Sequence, residues 1–430
     1  MGLRYYNKRF IAIDLDFVPF VSEVIANDLS HKAFNLIRKN IEANGVSDIV
    51  KYSSADAVVF MMEHRYYDKR FTAIDLDPYG SASSFLDSAV QALCDNGLLM
   101  VTCTDMAVLC GNTPEACYAK YNSIGLRHKC CHEFAIRVLL KTIDSCANLH
   151  GKYIEPLLSV SVDFYVRIFA RIRIGAKVAK DSATKVAYVL ACTGCHSLDI
   201  QPIVRKMINN GSIKYNPSVF HSNLLADQNK CLHCSHPVHI AGPIYSAPMH
   251  DTDFVQNLIK RLEQTPVDQR FQTHNRLFGI LNVISEELID VPLYYEHDQL
   301  MHIVKTAVPR LLDIRSAIIN AGYRCSISHC NPRALKTDAP TTLLWDVARA
   351  LAKKNNVTLD RFDENSPGRK ILESSIKLRK IVTHTIDFKV HPNALAKSKI
   401  DGLLRFQDNK GKNWGPKQKA KSKQNNVQSD

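Results

Sequence analysis

The sequence lacks the long apolar segments that membrane-spanning and secreted proteins carry. It contains no run of about 18 apolar residues, which argues against a transmembrane helix. The first ten residues, MGLRYYNKRF, are basic and aromatic and have no apolar core of the kind found in signal peptides. We therefore expect a protein that is neither secreted nor attached to a membrane.

The composition also lacks equal numbers of acidic and basic residues, and it lacks an even number of cysteines. The 42 acidic residues are outnumbered by 55 basic ones, and the net charge of +13 favours a polyanionic partner such as nucleic acid. The 13 cysteines are odd in number and several lie in apolar stretches, which is not the pattern of a disulfide framework. A reducing compartment, with at most a subset of thiols binding metal, fits these data better.

Candidate strands alternate with candidate helices through the first 150 residues, which predicts an α/β domain with a parallel sheet. Four of the predicted strands end in an acid, and these acids are Asp28, Asp56, Asp77 and Asp105. Ligands of open α/β sheets bind where the strands end, so these carboxylates are candidate ligand-binding groups. The alternative for each is a cap on the following helix. Residues 154–175 then read as two long strands in sequence.

The motif DLDPYG at residues 75–80 suits the methylation of an amine. The exocyclic amine of a nucleobase is a poor nucleophile because its lone pair is delocalised into the ring. The carboxylate of Asp77 and the carbonyl of Pro78 can accept the two amine hydrogens, and Tyr79 can stack on the base. The last four residues of the motif, Asp-Pro-Tyr-Gly, also favour a simple turn, so the motif alone leaves both interpretations open.

Two CxxC motifs predict a metal centre in the middle of the chain. Cys192, Cys195, Cys231 and Cys234 form two thiolate pairs separated by 35 residues, and four thiolates suit a tetrahedral zinc site. Four protein ligands leave no open position, so we interpret the site as structural; four unligated thiols are the alternative. The run Cys130-Cys131-His132 has no metal-ligand spacing and lies in a predicted helix, so we interpret it as packing.

The remaining chain divides by composition into three further regions. Residues 186–244 hold the CxxC pairs in a polar stretch that we predict to be an irregular, zinc-binding insert. Residues 245–409 show helical patterns with short strands, which predicts an α-rich α+β domain, and the lysine-rich tail at 410–430 has no periodicity. The tail could follow phosphates and resembles a nuclear localisation signal. Residues 4–16 repeat residues 65–77 at 11 of 13 positions, through a local duplication or an error in the gene model.

Long strings of the sequence resemble the tRNA guanine-26 N2-dimethyltransferase family. They include DLDPYGS, VTCTDMAVLCGN, AKYNSIGLRHKCCHEFAIRVLL, EPLLSVSVDFYVRIFARI and GPIYSAPMHD, and the resemblance extends from about residue 20 to residue 416. It implies a Rossmann-like class I methyltransferase domain at residues 1–185 with an antiparallel terminal hairpin. It further implies S-adenosylmethionine as methyl donor, tRNA as substrate and N2,N2-dimethylguanosine as product. No obligate protein partner is indicated, and the family implies the nucleus or mitochondrion, with the cytoplasm also possible.

The resemblance also implies a role for each strand-end residue. Asp28 matches the acid that binds the ribose hydroxyls of the donor, and Asp56 and Ala57 match the segment beside its adenine. The family's glycine-containing donor loop should precede residue 20, yet Gly2 is the only glycine before Asp28. Without such a turn the backbone cannot approach the donor closely, so we expect weak donor binding.

On the substrate side, the resemblance makes Asp77, Pro78 and Tyr79 the catalytic strand end. Thr104 and Asp105 lie in the next strand-end loop and are expected to shape the target pocket, although Asp105 could equally cap the turn that follows it. Two alternatives to a tRNA methyltransferase stay open. One is a catalytically silent tRNA-binding fragment of the family, and the other is an amino-methyltransferase with a different substrate.

Overall fold

The computed structural model describes residues 22–377 and 386–406 of the chain. The first copy of the repeat, at residues 4–16, and the basic tail at 410–430 lie outside these residues. So does the segment in which the donor loop was expected. Among the described residues, no helix is long and apolar enough to cross a membrane.

Strands and helices alternate along the first part of the chain, as the sequence predicts. The elements are β1 Val24–Asn27, α1 His31–Ala43, β2 Val50–Ser53, α2 Ala57–Glu63, β3 Phe71–Leu76, α3 Leu86–Ala92, β4 Leu93–Cys103, α4 Met106–Leu109, α5 Pro114–Tyr121, α6 Cys131–Leu149, β5 Lys152–Val162 and β6 Tyr165–Ile174. The sequence analysis missed α2, α4 and α5, which are short. Helix α5 begins with a proline at its first turn and ends at Asn122, whose φ of 50° is left-handed, and both are ordinary helix boundaries.

The central sheet has four strands in the order β3-β4-β6-β5. β3 and β4 are parallel, whereas β6 runs antiparallel to both β4 and β5, which confirms the predicted antiparallel hairpin. Strands β1 and β2 form a separate parallel pair. Within residues 22–377 and 386–406, no strand joins this pair to the central sheet.

Helices cover both faces of the central sheet. On one face, α3 and α6 bury the apolar residues of β4 and β6, including Leu99, Val101 and Ile168, which are fully buried. Burial of one such side chain stabilises the fold by about 1.5–3 kcal/mol. The other face packs against two helices from beyond residue 245, and Phe169 lies there against Val255. The predicted boundary at residue 245 therefore runs through a continuous core.

The middle region is more regular than the sequence analysis expected. After α7 it folds into strands rather than an irregular stretch, with bounds α7 Ala176–Ala179, β7 Val186–Cys192, β8 Leu198–Pro202, β9 Val204–Asn209, β10 Ser212–Pro217 and β11 Val238–Tyr245. Strands β9 and β10 pair around Asn210 and Gly211, whose φ angles of 47° and 78° are both positive. An Asn-Gly pair favours this two-residue hairpin turn, and the sequence analysis overlooked that signal.

The last region is α-rich with a small sheet, which confirms the predicted α+β character. Its elements are α8 Thr252–Gln264, α9 His274–Ser285, β12 Tyr295–Glu296, α10 His297–Ile303, α11 Leu311–Asn320, β13 Cys325–Ser328, β14 Asn331–Thr337, α12 Thr341–Lys354, α13 Pro367–Lys377 and α14 Lys397–Ile400. Helices α10 and α11 are separated by a break in the stretch from 297 to 323. Pro309 lies in this break, and proline disfavours helical geometry at the residue before it.

Candidate active site and metal centre

The ends of β1 and β2 lie side by side and are fastened to each other. The side chain of Asn27 donates to the carbonyl of Ala55 at 3.0 Å and accepts from the amide of Ala55 at 3.1 Å. Asp28 follows β1 directly, and its carboxylate accepts the amide of Ser30 at 2.8 Å. Asn27, which the sequence analysis did not single out, thus holds the two loops of the expected donor site together. The sequence feature that could have indicated Asn27 is a polar residue at the last position of a strand.

Asp56 is a helix cap as well as a candidate donor ligand. Its Oδ1 accepts the amides of Val58 at 2.8 Å and Val59 at 3.2 Å, at the start of α2. Both hydrogen bonds use the same oxygen, so Oδ2 can still accept a hydrogen bond from a ligand. Ala57, the first residue of α2, packs against the main core and fixes the position of this turn.

Residues 77–79 follow β3 directly, where the sequence predicts the catalytic strand end. Asp77 is exposed, and Tyr79 is 63% exposed. The next residue, Gly80, has a φ of 88°, its amide donates to Oγ1 of Thr104 at 2.8 Å, and its carbonyl accepts the amide of Thr104 at 2.9 Å. Thr104 therefore fastens the loop after β3 to the loop after β4, and the two strand ends form one edge.

The carboxylate of Asp105 does not cap the turn that follows it. Instead it accepts the phenol of Tyr121 at 2.8 Å and the ammonium of Lys120 at 3.0 Å, both from α5. Burial raises the pKa of Tyr121, so its hydroxyl stays protonated and keeps donating to Asp105. The structure thus rejects the capping alternative for the side chain and places Asp105 in a wall formed by α5.

An ion pair behind residues 77–79 was not anticipated from the sequence. Arg167 of β6 donates to Asp75 of β3 at 2.8 Å and to Oγ1 of Thr102 of β4 at 2.5 Å. Asp75 lies two residues before Asp77, on the strand that leads into the loop at residues 77–79. The pair therefore connects three strands beneath the edge that carries residues 77–79.

The four predicted metal ligands converge in one buried cluster. The Sγ atoms of Cys192 and Cys234 are 3.3 Å apart, and those of Cys195 and Cys231 are 3.5 Å apart. All four thiols are buried, none is in a disulfide, and their ligand atoms lie within 4.8 Å of one another. Zn–S bonds of about 2.3 Å in a tetrahedron put sulfurs roughly 3.8 Å apart, so the cluster fits a zinc ion with little adjustment.

The cysteine cluster is anchored to the last region of the chain. Trp345 of α12 is 1% exposed and donates through Nε1 to Oγ of Ser197 at 2.9 Å. Oγ of Ser197 in turn accepts from Sγ of Cys195 at 3.3 Å. His233, a nearby candidate ligand, instead hydrogen-bonds through Nε2 to Oγ1 of Thr341 at 2.8 Å. The cluster therefore joins the middle region to α12.

A second connection is a buried network of charges that the sequence analysis missed. Glu133 of α6 is fully buried and pairs with Arg137 at 2.9 Å and with Lys336 of β14 at 3.0 Å. Lys336 also lies 3.6 Å from Glu287, which pairs with His329 at 2.6 Å. Burial opposes the charge on Glu133, but Lys336 and Arg137 outweigh it and lower the pKa of that carboxyl.

Comparison with known proteins gives one consistent family. Residues 9–349 match the sequence profile described as N2,N2-dimethylguanosine tRNA methyltransferase. The chain is similar to the tRNA (guanine(26)-N(2))-dimethyltransferase of Caenorhabditis elegans, with 53% identity over 95% of this chain and 77% of that protein. The human enzyme of the same name is 41% identical over 98% of this chain and 62% of its own length.

The fold also matches a solved structure. Trm1 from Pyrococcus horikoshii, solved in complex with S-adenosyl-L-methionine, superposes with a TM-score of 0.62 and 27% identity, over 75% of this chain and 81% of that one. The profile match at residues 9–349 includes both strand-end edges described above.

Proposed function

Because the chain belongs to the N2,N2-dimethylguanosine tRNA methyltransferase family, we propose that it transfers methyl groups from S-adenosylmethionine to the exocyclic N2 of guanine 26 in tRNA. The observation that carries the proposal is the position of Asp77, Pro78 and Tyr79 directly after β3. The net charge of +13 suits a tRNA substrate.

The residues of the catalytic edge have distinct tasks in this proposal. The Asp77 carboxylate and the Pro78 carbonyl accept the hydrogens of the guanine amine and orient its lone pair toward the methyl group. Asp77 also stabilises the positive charge that develops on nitrogen as the methyl arrives. Tyr79 is exposed and offers a face on which the base can stack. Since these groups face solvent, the guanine must leave its own stack to reach them.

The target pocket is assigned to the loop held by Thr104 and Asp105. Thr104 fixes the distance between this loop and Gly80 through its two hydrogen bonds. Asp105 is held by Lys120 and Tyr121 and so presents a fixed wall beside the catalytic residues. Because a rigid wall keeps the base within a narrow range of positions, it adds to the orientation that Asp77 provides.

The donor is assigned to the other edge, where the residues present fit its chemistry. S-adenosylmethionine supplies an electrophilic methyl group on a sulfonium. Asp28 can accept both ribose hydroxyl hydrogens, and Oδ2 of Asp56 can accept the adenine amine while Oδ1 caps α2. Ala57 is small and partly buried, so it can lie against the flat adenine ring.

The donor assignment predicts the result of a calorimetric titration with S-adenosylmethionine or its demethylated product. We expect saturable but weak binding by the chain, because Gly2 is the only glycine before Asp28 in this sequence. Asp28→Ala should weaken binding at least tenfold, about 1.4 kcal/mol, since the ribose hydroxyls lose their acceptor. Asp48→Ala is the matched control, because Asp48 is an exposed acid at the opposite end of β2.

The same titration separates the alternatives. Equal affinity of the Asp28→Ala variant and the unaltered chain would contradict the donor assignment. Absence of donor binding with tRNA binding retained would favour the silent tRNA-binding protein instead. Nucleoside analysis of methylated tRNA, DNA and protein then distinguishes a guanine methyltransferase from an amino-methyltransferase with another substrate.

We further propose that Cys192, Cys195, Cys231 and Cys234 bind a structural zinc ion. Four thiolates close the coordination sphere, so the ion binds no reactant and stabilises the fold. With Cys195 as a thiolate, the hydroxyl of Ser197 would donate to its sulfur while it accepts from Nε1 of Trp345, and these two hydrogen bonds would transmit the rigidity to α12. The ion would thereby orient the last region of the chain, to which we assign a share of the tRNA contacts.

Removal of this zinc site should loosen the middle region. Cys231→Ser is expected to lose one zinc ion per chain and to open residues 186–244 to protease, because the cluster is the core of that region. Metal analysis and limited proteolysis measure both effects. Cys325→Ser, at a half-buried thiol outside the cluster, is the control and should change neither. If Cys231→Ser has the same metal content as the unaltered chain, both measured in fresh, reduced protein, the proposed site is refuted.

We propose a nuclear or mitochondrial location. The related enzyme of Saccharomyces cerevisiae, 34% identical over 93% of this chain, is named as mitochondrial. The lysine-rich residues 410–430 favour the nucleus. Imaging of the tagged chain with and without those residues tests the choice.

A further inference from the structure

Three metal-binding side chains converge near the catalytic edge, outside the CxxC cluster. Cys110 follows α4 directly, and Cys131 and His132 begin α6. One ligand atom from each lies within 4.8 Å of the other two, and all three residues are half-buried. The sequence analysis interpreted Cys130-Cys131-His132 as packing because the run has no metal-ligand spacing and lies in a predicted helix. The fold brings Cys110, which is distant in sequence, to the same place.

The start of α6 divides its neighbouring thiols between two environments. Cys130 is fully buried in the main core and hydrogen-bonds Nδ1 of His128 at 3.0 Å. Cys131 and His132 face the half-buried side on which Cys110 lies. Packing therefore accounts for Cys130, whereas it does not explain why two thiols and an imidazole meet at a partly open position.

His132 is oriented by a hydrogen bond of the type that metal-bound histidines make. Its Nδ1 lies 3.0 Å from Oγ of Ser161 on β5, which leaves Nε2 as the nitrogen able to bind a metal. The amide of the same Ser161 donates to Nε2 of His329 at 3.2 Å, so Ser161 is itself held in place. The ring orientation is thus set by the fold before any ion binds.

A neighbouring triad of metal-binding side chains is hydrogen-bonded differently. His250, Glu287 and His329 also meet within 4.8 Å. Yet Nδ1 of His250 and Nε2 of His329 each accept a backbone amide of β5, from Ser159 and Ser161, at 3.2 Å. These lone pairs are occupied, and the triad instead covers the edge of the sheet. The Nε2 atom of His132 carries no such bond among the described residues.

We propose that Cys110, Cys131 and His132 bind a second metal ion of the zinc class. Two thiolates and one imidazole are the donor set that borderline-soft ions such as Zn²⁺ prefer. Three protein ligands leave a fourth position, and the half-buried setting lets water occupy it. The site differs in this respect from the closed set of four cysteines.

An ion at this position would also hold the loop that we assign to the target pocket. α4 spans only four residues between Asp105 and Cys110. A metal bond from Cys110 to the start of α6 would therefore hold both ends of the loop that carries Asp105. This consequence rests on the proposed function, whereas the presence of the ion does not.

Metal analysis of the full chain, purified under reducing conditions without an added metal-binding tag, tests the proposal. We expect Cys110→Ser and His132→Asn each to contain one zinc equivalent less than the unaltered chain. Asparagine preserves the hydrogen bond to Ser161 while it removes Nε2, so His132→Asn is the milder change. Cys146→Ser, at a half-buried thiol on the same helix, should retain every equivalent.

A second measurement keeps the two metal sites apart. In the Cys231→Ser background, cobalt(II) should still bind and show thiolate-to-cobalt absorption, which Cys110→Ser removes. Unchanged metal content in both Cys110→Ser and His132→Asn would overturn the proposal, whatever the cysteine cluster binds.

Discussion

Replacing Asp77 by alanine is expected to lower the rate of methyl transfer to tRNA by about 10²–10³, the usual effect of removing one group that stabilises charge in a transition state. The guanine amine then loses the carboxylate that orients it and offsets its developing charge. Asp77 is exposed, so the substitution leaves no cavity in the core, and urea unfolding of the variant checks that it is folded. Single-turnover methylation of unmodified tRNA with labelled donor measures the rate.

Two matched variants distinguish catalysis from a general effect of charge. Asp77→Asn retains one acceptor oxygen, so its rate of methyl transfer should lie between those of the unaltered chain and Asp77→Ala. Asp87→Ala removes an exposed acid from α3 and should leave the rate within twofold. A rate for Asp77→Ala within threefold of the unaltered chain would reject Asp77 as a catalytic residue, provided that tRNA and donor binding are unchanged.

Replacing Lys336 by methionine is expected to destabilise the protein by about 3–5 kcal/mol, the usual effect of removing one partner from a buried ion pair. Lys336 is 1% exposed and lies between Glu133 and Glu287, both of which would lose a cationic partner without access to water. Methionine has a similar length, so the change removes charge with little change in volume. Urea unfolding followed by tryptophan fluorescence measures the loss, since Trp345 is buried in the same region.

The control is Lys353→Met, at an exposed lysine in the last turn of α12, which should change stability by less than about 0.5 kcal/mol. Glu133→Gln combined with Lys336→Met should not recover the loss, because Arg137 then loses its carboxylate partner and becomes an unpaired buried cation. A loss below about 1 kcal/mol for Lys336→Met would mean that the network does not depend on a charged lysine.

The strand-end residues were predictable because their placement follows from local rules. A parallel sheet brings the carboxyl ends of its strands to one edge, so Asp77 and Asp105 had to lie near each other once β3 and β4 were recognised. The CxxC spacing constrained the four buried cysteines in the same way, since the two thiols of each pair are only three positions apart and lie close together in a tight turn. Their roles as ligands and catalytic groups remain predictions.

Other features could not be predicted because they depend on contacts between distant parts of the chain. Glu133 and Lys336 are separated by 203 positions, and no local pattern indicates that they form a buried pair. Cys110 joins Cys131 and His132 only because α5 folds back between them. Asn27 joins Ala55 for a similar reason, across the two strands of a parallel pair.

The sequence by itself determined the α/β class, the acid at the end of each early strand and the family, because these depend on periodicity, motif and spacing along the chain. The tertiary structure decided which side chains meet: Thr104 with Gly80, Asp105 with Tyr121, Trp345 with the cysteine cluster, and α8 and α9 with the central sheet. The physical reason is that hydrogen bonds and buried contacts act over a few ångströms in space, and only the folded chain sets those distances.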